Sequence, residues 1–315
     1  MIHIHAYSYY SNDIRFDRNK FKVEDNSGSF LLESVANGVN IFNISDDLDC
    51  NIQIYEYFNS ISFIVVSYQS DAYIDNIYFP AKKLKELGVS FPSKSLNRYK
   101  FFYITHSESI DNIDIIEKVR GSKTFVPSES NSLINESEIL INFIEAGFVQ
   151  KDKISLENAP DKFNRTLLIY LLGVAYNLQT ELFIKESIIC YKGKAFDSLV
   201  SMRSDIHLFE VQYYFSIPVK NSSYQTIRIW KLISDVLNIK DFHSEMKDQL
   251  IELTDIINEK RLEDIKIAKE NELSLIREAN DKRDKKNDKN NLILQVGLIV
   301  IGFFQALPVI IQFFK

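Results

Sequence analysis

The chain has 315 residues, of which 45% are hydrophobic and 25% charged, and its formal net charge is −6 at pH 7. This length allows one large domain or two modest ones, and the acidic balance argues against non-specific nucleic-acid binding, which needs a basic surface. Two cysteines, Cys50 and Cys190, without Cys-x-x-Cys spacing, argue against a disulfide framework or zinc motif, and the opening residues lack the basic start and apolar core of a signal peptide.

Short alternating or β-branched runs predict a strand-rich cytosolic subdomain over residues 1–130. The predicted strands are 2–7, 21–23, 52–55, 62–67 and 100–105. A helix is predicted at 80–87, because Pro80 stands at its start and Gly88 at its end. The polar, serine-rich segment 127–138 is the predicted boundary, either as a surface loop or as the entry to the next helix.

The apolar spacing changes from Glu136 onward, and a helix-rich cytosolic subdomain is predicted over residues 131–239. A short helix is predicted at 139–144, stopped by Gly147. A dense apolar core helix is predicted at 163–191, and its polar residues argue against a membrane span there. The aromatic-rich segment 206–219 is predicted as a late strand and 226–237 as a helix.

Residues 240–290 contain neither proline nor glycine and are rich in charge. A narrow apolar stripe runs through them, but its spacings do not form a clean heptad. The pattern predicts one long helix, or two in line, forming a stalk that packs on sister chains or on its own head domain. Fifty helical residues would reach about 75 Å.

Residues 291–315 are predicted as a single C-terminal transmembrane helix, because Leu292–Phe314 carries no charge and about 20 apolar residues span a bilayer. The alternative is a buried helix of a soluble protein, although such helices are rarely apolar on every face. Arg283, Lys285, Lys286 and Lys289 precede this segment, whereas only Lys315 follows it. The positive-inside rule then predicts a tail-anchored, single-pass protein with a cytoplasmic N-terminal part.

One arc of the predicted membrane helix, roughly 120° wide at about 100° per residue, collects its small and polar residues. They are Gln295, Gly302, Gln305, Ala306 and Gln312. Gly302 and Ala306 form a small-xxx-small pair that allows close helix approach, and glutamines can hydrogen-bond across a helix pair. This arc predicts a self-association face; the alternative is that the glutamines occur by chance and two of them lie near the interfaces. Pro308 is expected to kink the helix.

His3 and His5 form a His-x-His pair on a predicted strand, as at the start of PHP and amidohydrolase metal-dependent hydrolases. The further ligand motifs of those families are missing, so the alternative is a pair on a strand surface. The acidic groups at 46–49 and at Asp111 and Asp114 are typical of solvated turns. Because phosphate-binding, nucleophile-elbow and zincin motifs are also missing, we expect no catalytic residue, cofactor or resident metal.

Residues 226–315 resemble CorA-type divalent-cation channels in architecture. The resemblance is carried by the sequence from Arg261 to Lys266, similar to an arginine-leucine turn late on the family's long helix, and by Ala306-Leu307-Pro308 in the apolar span. The family's Gly-Met-Asn signature is missing, and one span is predicted where the family has two. The resemblance implies a shared architecture and not magnesium transport.

The sequence therefore predicts an α+β head, a helical stalk and a membrane anchor. The leading functional hypothesis is a non-catalytic sensor or interaction protein that oligomerises through stalk and membrane helix. Its expected partners are the bilayer, further copies of itself and an unknown protein or small-molecule ligand. The alternatives are a CorA-like channel or membrane-perturbing effector, and a membrane-tethered hydrolase using His3 and His5.

Overall fold

The computed structural model describes residues 3–11, 14–24, 28–46, 50–70, 81–91, 97–105, 132–134, 139–144, 147–152, 159–193, 196–221 and 224–313. The chain divides into two compact units, which we call the head (Met1–Ile251) and the tail unit (Glu252–Lys315). Some side chains within these ranges, including those of His3 and of residues 306–313, are outside the description.

Strands precede long helices along the chain, which confirms the predicted α+β class. The strands are β1 (His3–Tyr10), β2 (Lys22–Val23), β3 (Val39–Asp46), β4 (Asn51–Tyr57), β5 (Ile61–Ser70), β6 (Asn97–Thr105), β7 (Ser132–Ile134), β8 (Ile139–Ile144) and β9 (Gly147–Asp152). The helices are α1 (Glu33–Ala36), α2 (Ala81–Glu86), α3 (Ala159–Lys192), α4 (Phe196–Gln212), α5 (Tyr224–Val236) and α6 (Ile239–Phe313).

Within the described residues the nine strands form one sheet in the order β2-β3-β4-β5-β1-β6-β9-β8-β7. The described neighbours are antiparallel except β6 and β9, which are parallel. Gly147 begins β9 at a φ of +143°, and a Cβ there would lie 1.7 Å from the carbonyl oxygen of Lys100. Glycine is therefore required for the close approach of β9 to β6.

One face of the sheet is formed by alternate residues of the strands, as the period of two requires. Leu84 of α2 and Val89 pack into the same cluster. The sheet residues of this cluster are Tyr7, Tyr9, Phe42, Ile44, Ile52, Ile54, Ile64, Val66 and Val149.

Helix α3 covers the opposite face of the sheet. The hydroxyl of Tyr57 donates to the carbonyl oxygen of Leu168 at 2.9 Å, and the rings of Phe101 and Tyr170 lie 5.3 Å apart. Because both faces are covered, every residue of β1 from His5 to Tyr10 is buried. The predicted core helix at 163–191 is thus confirmed.

The β4–β5 turn joins the sheet to the helices. Phe58 and Asn59 both have positive φ, 57° and 58°, as in a type I′ hairpin turn. A left-handed backbone is unfavourable for a bulky residue, but Phe58 stacks on Tyr176 of α3 with ring centroids 5.4 Å apart. Packing of this ring in the helical layer offsets the backbone strain.

Helix α3 also packs closely on α5 and on the first turn of α6. A Cβ added at Gly173 would lie 2.9 Å from Cγ2 of Ile233 and 3.1 Å from Cδ1 of Ile239. The glycine that interrupts the apolar run of α3 is therefore a contact point between helices.

Two predicted elements are wrong. Residues 139–144 form β8 instead of a short helix, and Ile141 and Phe143 are each only 1% exposed. The segment 206–219 is not a strand: its first half belongs to α4, which continues to Gln212, and Val219 forms an isolated bridge to Leu31.

The predicted helix over 240–289 lies within α6, which extends to Phe313. The predicted subdomain boundary at residue 130 lies outside the described residues, and strands continue to Asp152. The division of the chain at 130 and 239 stays a prediction.

Candidate membrane segment and head cavity

The large apolar side chains of α6 between residues 292 and 304 are all exposed. Ten large apolar residues lie between Leu292 and Phe304, and each is exposed, from 47% at Val300 to 71% at Ile299. They occupy consecutive positions broken only by Gln295, Gly297 and Gly302. A helix that is apolar on all sides is expected to lie inside a protein or a membrane, and an exposed patch of this size marks an interaction site. We call residues 292–304 the apolar segment.

The predicted self-association face falls partly within the described side chains. Gln295, Gly302 and Gln305 are all exposed, and nothing lies within 4 Å of a Cβ built on Gly302. The backbone of Ala306 and Gln312 lies in α6, but their side chains are outside the description. In the single chain the described part of this face is therefore open to another helix.

A test of length and composition finds one helix among the described residues that could cross a membrane, and it is Asp161–Lys192 within α3. Its most apolar window is 78% buried inside the protein. A core helix of a soluble domain passes the same test, and the contacts of α3 with the sheet assign it to the core of the head. The predicted span at 292–314 extends into residues whose side chains are not described.

His3 and His5 lie on β1, between β5 and β6. Their positions two residues apart place them on one face of the sheet. His5 is 1% exposed, so the expectation of a pair on a strand surface is wrong for His5. That expectation assumed a strand with one open face, whereas β1 is central and covered on both sides. The side chain of His3 is not described.

No group of three or more His, Cys, Asp or Glu side chains within the described part of the chain is arranged to hold a metal ion. Asp46 ends β3, while residues 47–49, Asp111 and Asp114 lie outside the described residues. The hydrolase hypothesis that uses His3 and His5 stays a prediction.

The head contains a cavity of about 480 Å³ between the β2–β4 side of the sheet and the start of α3. We call it the head cavity. Its floor is apolar and buried, and its rim carries both signs of charge. The floor residues are Ile41, Tyr55 and Leu168, and the charged rim residues are Lys22, Glu24, Asp161 and Arg165. The guanidinium of Arg165 lies 5.5 Å from the ring centroid of Phe30, within the range of a cation–π contact.

A chain of hydrogen bonds orders one wall of this cavity. The amide nitrogen of Gln53 donates to Glu24 Oε1 at 2.8 Å and to Asn43 Oδ1 at 2.9 Å. Tyr55 donates to Gln53 Oε1 at 3.3 Å. Burial, and secondarily the charge of Glu24, raise the pKa of Tyr55, so it stays a neutral hydrogen-bond donor. The wall is thus a fixed set of polar groups beside an apolar floor, as in small-molecule sites.

A second polar cluster joins α3, α4 and α6 inside the head. His243 is 4% exposed; its Nε2 lies 2.9 Å from Oε1 of Glu210, and its ring stacks on Tyr214 at 3.7 Å. Lys247 Nζ lies 3.0 Å from the same carboxylate oxygen, and Thr180 Oγ1 lies 3.5 Å from His243 Nδ1. Thr180 donates to the carbonyl oxygen of Tyr176, as structural threonines in helices do.

The electrostatics of this cluster follow from its burial. Desolvation lowers the pKa of His243 despite the hydrogen bond to Glu210, which favours the charged imidazolium. Burial alone would raise the pKa of Glu210, but the hydrogen bonds from Lys247 and His243 lower it overall. Glu210 is therefore favoured as a carboxylate paired with Lys247, and the imidazole of His243 is favoured in its neutral form.

No protein-family model, curated protein or solved structure matches this chain. The resemblance of residues 226–315 to CorA-type channels therefore stays a prediction. Sequence reasoning missed the head cavity and the Glu210–His243 cluster, because each is assembled from segments far apart in the chain.

Proposed function

We propose that this chain is a membrane-anchored, non-catalytic sensor or interaction protein with a cytoplasmic head and one transmembrane helix. The observation that carries the proposal is the exposure of all ten large apolar residues in the apolar segment. Burying a Leu, Ile, Val or Phe side chain is worth about 1.5–3 kcal/mol, so this segment has a strong tendency to leave water. The basic residues before it favour a cytoplasmic head.

Membrane association is tested by truncation after Lys289. The full chain is expected to remain with membranes at alkaline pH, and the truncated chain is expected in the soluble fraction. Point substitutions test the same segment more finely. One variant replaces Leu298 and Ile301 with lysine, and its control replaces them with other aliphatic residues. Each lysine near the centre of the helix opposes insertion by about 2.5–3.5 kcal/mol. Quantitative membrane association of the truncated chain would contradict the anchor.

The orientation is tested separately. A protease added outside intact cells is expected to leave the head uncut, and to cut it once the membrane is permeabilised. Cleavage of the head in intact cells would place it on the other side.

We further propose that copies of the chain associate through the face of Gln295, Gly302, Gln305, Ala306 and Gln312. Gly302 allows close backbone approach because it has no side chain, and nothing in the single chain lies within 4 Å of a Cβ built there. Glutamine side chains facing lipid would be costly. Gly302→Ile is expected to weaken association through steric separation. Gln305→Leu is expected to remove a hydrogen bond worth about 0.6–2 kcal/mol. Phe304→Leu, nearly opposite on the helix, is the matched control.

Cross-linking reads this face directly. After replacement of Cys50 and Cys190, single cysteines at positions 302, 305 and 306 are expected to cross-link efficiently, and cysteines at 300, 303 and 304 poorly. Equal cross-linking around the helix would mean that the helix only anchors the protein. The oligomer mass in detergent then separates a sensor from a channel, because a dimer is too small to enclose a useful pore.

The head cavity is the proposed ligand site of the sensor. Its polar wall and mixed-charge rim suit a small polar molecule that offers both acceptors and donors. Mass spectrometry of compounds released on denaturing the purified protein tests this. Arg165→Met is expected to reduce the bound compound, whereas Arg228→Met is the control, since Arg228 lies over Tyr224 at 6.0 Å and not in the cavity. Equal retention in both variants would exclude the cavity as the site.

A further inference from the structure

Four lysines form a stripe on α6 immediately before the apolar segment. They are Lys282, Lys285, Lys286 and Lys289, with the i, i+3, i+4, i+7 spacing of one helix face. All four are exposed. Lys282 pairs with Glu278, Nζ to Oε1 at 2.8 Å, whereas Lys285, Lys286 and Lys289 extend beyond it toward the apolar segment. We call these four residues the lysine stripe.

Three aspartates of this region lie on another side of the helix from the lysine stripe. At about 100° per residue, the lysine stripe covers an arc of roughly 100°. Asp281, Asp284 and Asp288 are centred about 120° from it by the same geometry. Lys286 and Lys289 therefore lie more than 90° from the centre of these three aspartates, whereas Lys282 is neutralised by its pairing with Glu278.

If Leu292 marks the edge of the hydrocarbon, Lys289 lies within the layer of lipid headgroups and the other three lysines lie just outside it. With a rise of about 1.5 Å per residue, Lys289 lies about 4.5 Å and Lys286 about 9 Å before Leu292. The headgroup layer is roughly 5–8 Å thick on each side of the bilayer. Lys285 and Lys282 lie farther out, about one Debye length or less beyond that layer at physiological salt.

The lysine stripe also avoids the predicted self-association face. By the same rotation, the centre of that face is about 170° from the centre of the stripe. Two helices packed through Gly302 and Gln305 would therefore direct their lysines outward, toward surrounding lipid. Helix pairing and headgroup binding do not compete for the same surface.

We infer that the lysine stripe binds the anionic headgroups of the leaflet that faces the head. This inference rests on the proposed membrane anchor. Juxtamembrane lysines are attracted to phosphate and carboxylate groups at an anionic surface. The stripe would make the anchor selective for anionic lipid, whereas the apolar segment alone distinguishes no headgroup.

The test is lipid selectivity of the full chain reconstituted into vesicles of phosphatidylcholine with 30% phosphatidylglycerol. The readout is the association of spin-labelled phosphatidylglycerol relative to spin-labelled phosphatidylcholine. We expect a ratio above one that falls with added salt, with a contribution of up to about fivefold per lysine. The triple variant Lys285→Gln, Lys286→Gln, Lys289→Gln is expected to bring the ratio close to one.

The matched control removes three positive charges farther from the apolar segment, as Lys266→Gln, Lys269→Gln and Arg277→Gln. Arg277 is about 22 Å before Leu292, well beyond the Debye length, so this control should keep the wild-type ratio. An unchanged ratio in the stripe variant, or an equal loss in the control, would overturn the inference while leaving the anchor intact. Failure of the wild type to insert even into pure phosphatidylcholine would instead overturn the proposed function.

Discussion

Helix α3 and the apolar segment of α6 are similar in composition and opposite in environment. Both are rich in Leu and Ile, and α3 is even long and apolar enough to cross a membrane. Yet Leu171 and Leu172 of α3 are fully buried, while Leu298 and Ile299 of the apolar segment are about 70% exposed. Apolar length alone does not separate a core helix from a membrane helix. What distinguishes α3 from the apolar segment is that the head packs against α3, whereas the side chains of the apolar segment are exposed.

The largest expected difference between the two helices comes from truncating one apolar side chain to alanine in each. Leu171→Ala is expected to destabilise the head by about 2–5 kcal/mol, because it leaves a cavity in the core. Ile299→Ala is expected to leave the free energy of unfolding of the head unchanged, because Ile299 is 71% exposed. Calorimetry of the full chain in detergent measures both. Equal destabilisation by the two changes would show that the apolar segment has a packed partner.

The two glycines of these helices allow a second test. Gly173→Ala is expected to destabilise the head by about 1–3 kcal/mol, because the added Cβ would press on Ile233 and Ile239. Gly302→Ala meets open space in the single chain and should gain helix propensity of up to about 1 kcal/mol. Thermal unfolding of the head measures the first, and the helical content of the detergent-solubilised chain the second. A neutral Gly173→Ala would contradict the close packing of α3 on α5.

His5 extends the comparison from the helices to the sheet. His5→Ala is expected to lower the free energy of unfolding by about 0.5–3 kcal/mol, since the ring is 1% exposed on a central strand. Metal content should not change. Denaturant unfolding and elemental analysis of the purified chain measure these effects. Stoichiometric zinc or manganese that disappears in the variant would favour the hydrolase hypothesis instead.

The smallest expected effect is a dependence of the head's stability on pH. Because the folded head holds the pKa of His243 below its ordinary value of 6.5, the unfolded chain takes up more protons, so stability falls as pH drops below that value. The lowered pKa of Glu210 adds to the loss at still lower pH. Thermal unfolding midpoints at pH 7.5 and 5.5 measure this slope for the wild type and for His243→Gln, which should flatten it.

His207→Gln is the control for that slope. Its ring lies 3.6 Å from the other oxygen of Glu210, but its side chain is 79% exposed, so its replacement should change the slope little. An identical slope in His243→Gln and the wild type would remove His243 from this role.

Sequence periodicity predicted most elements whose pattern is unambiguous, among them β4, β5, α3 and the helix over 240–289. It failed where a short apolar run satisfies two periods. Ile139, Ile141 and Phe143 alternate as a strand requires, but the adjacent Ile144 also suits a helix. In α4 the spacing of its buried residues is helical; they are Leu199, Met202, Ile206 and Phe209. This helical spacing begins at Leu199, so it is not recognised when the segment is taken to start at residue 206.

The candidate sites also differ in whether the sequence alone could predict them. The apolar segment and its polar face could be read from the sequence, because all of their residues lie on one helix. The head cavity could not, since Glu24, Tyr55 and Arg165 meet only after the sheet and α3 have packed. The burial of His5 was also hidden, because β1 alternates like an edge strand and its central place depends on its pairing with β5 and β6.

Trp230 is the chain's one tryptophan, and its place in α5 makes it an intrinsic fluorophore of the head. It is 1% exposed, its Nε1 donates to the carbonyl oxygen of Ser216 at 2.7 Å, and its ring meets Tyr176 at 5.8 Å. The emission of this indole should therefore be blue-shifted in the folded chain. Any spectral change on adding vesicles or a small molecule would thus register a rearrangement between α3 and α5, observed without a label.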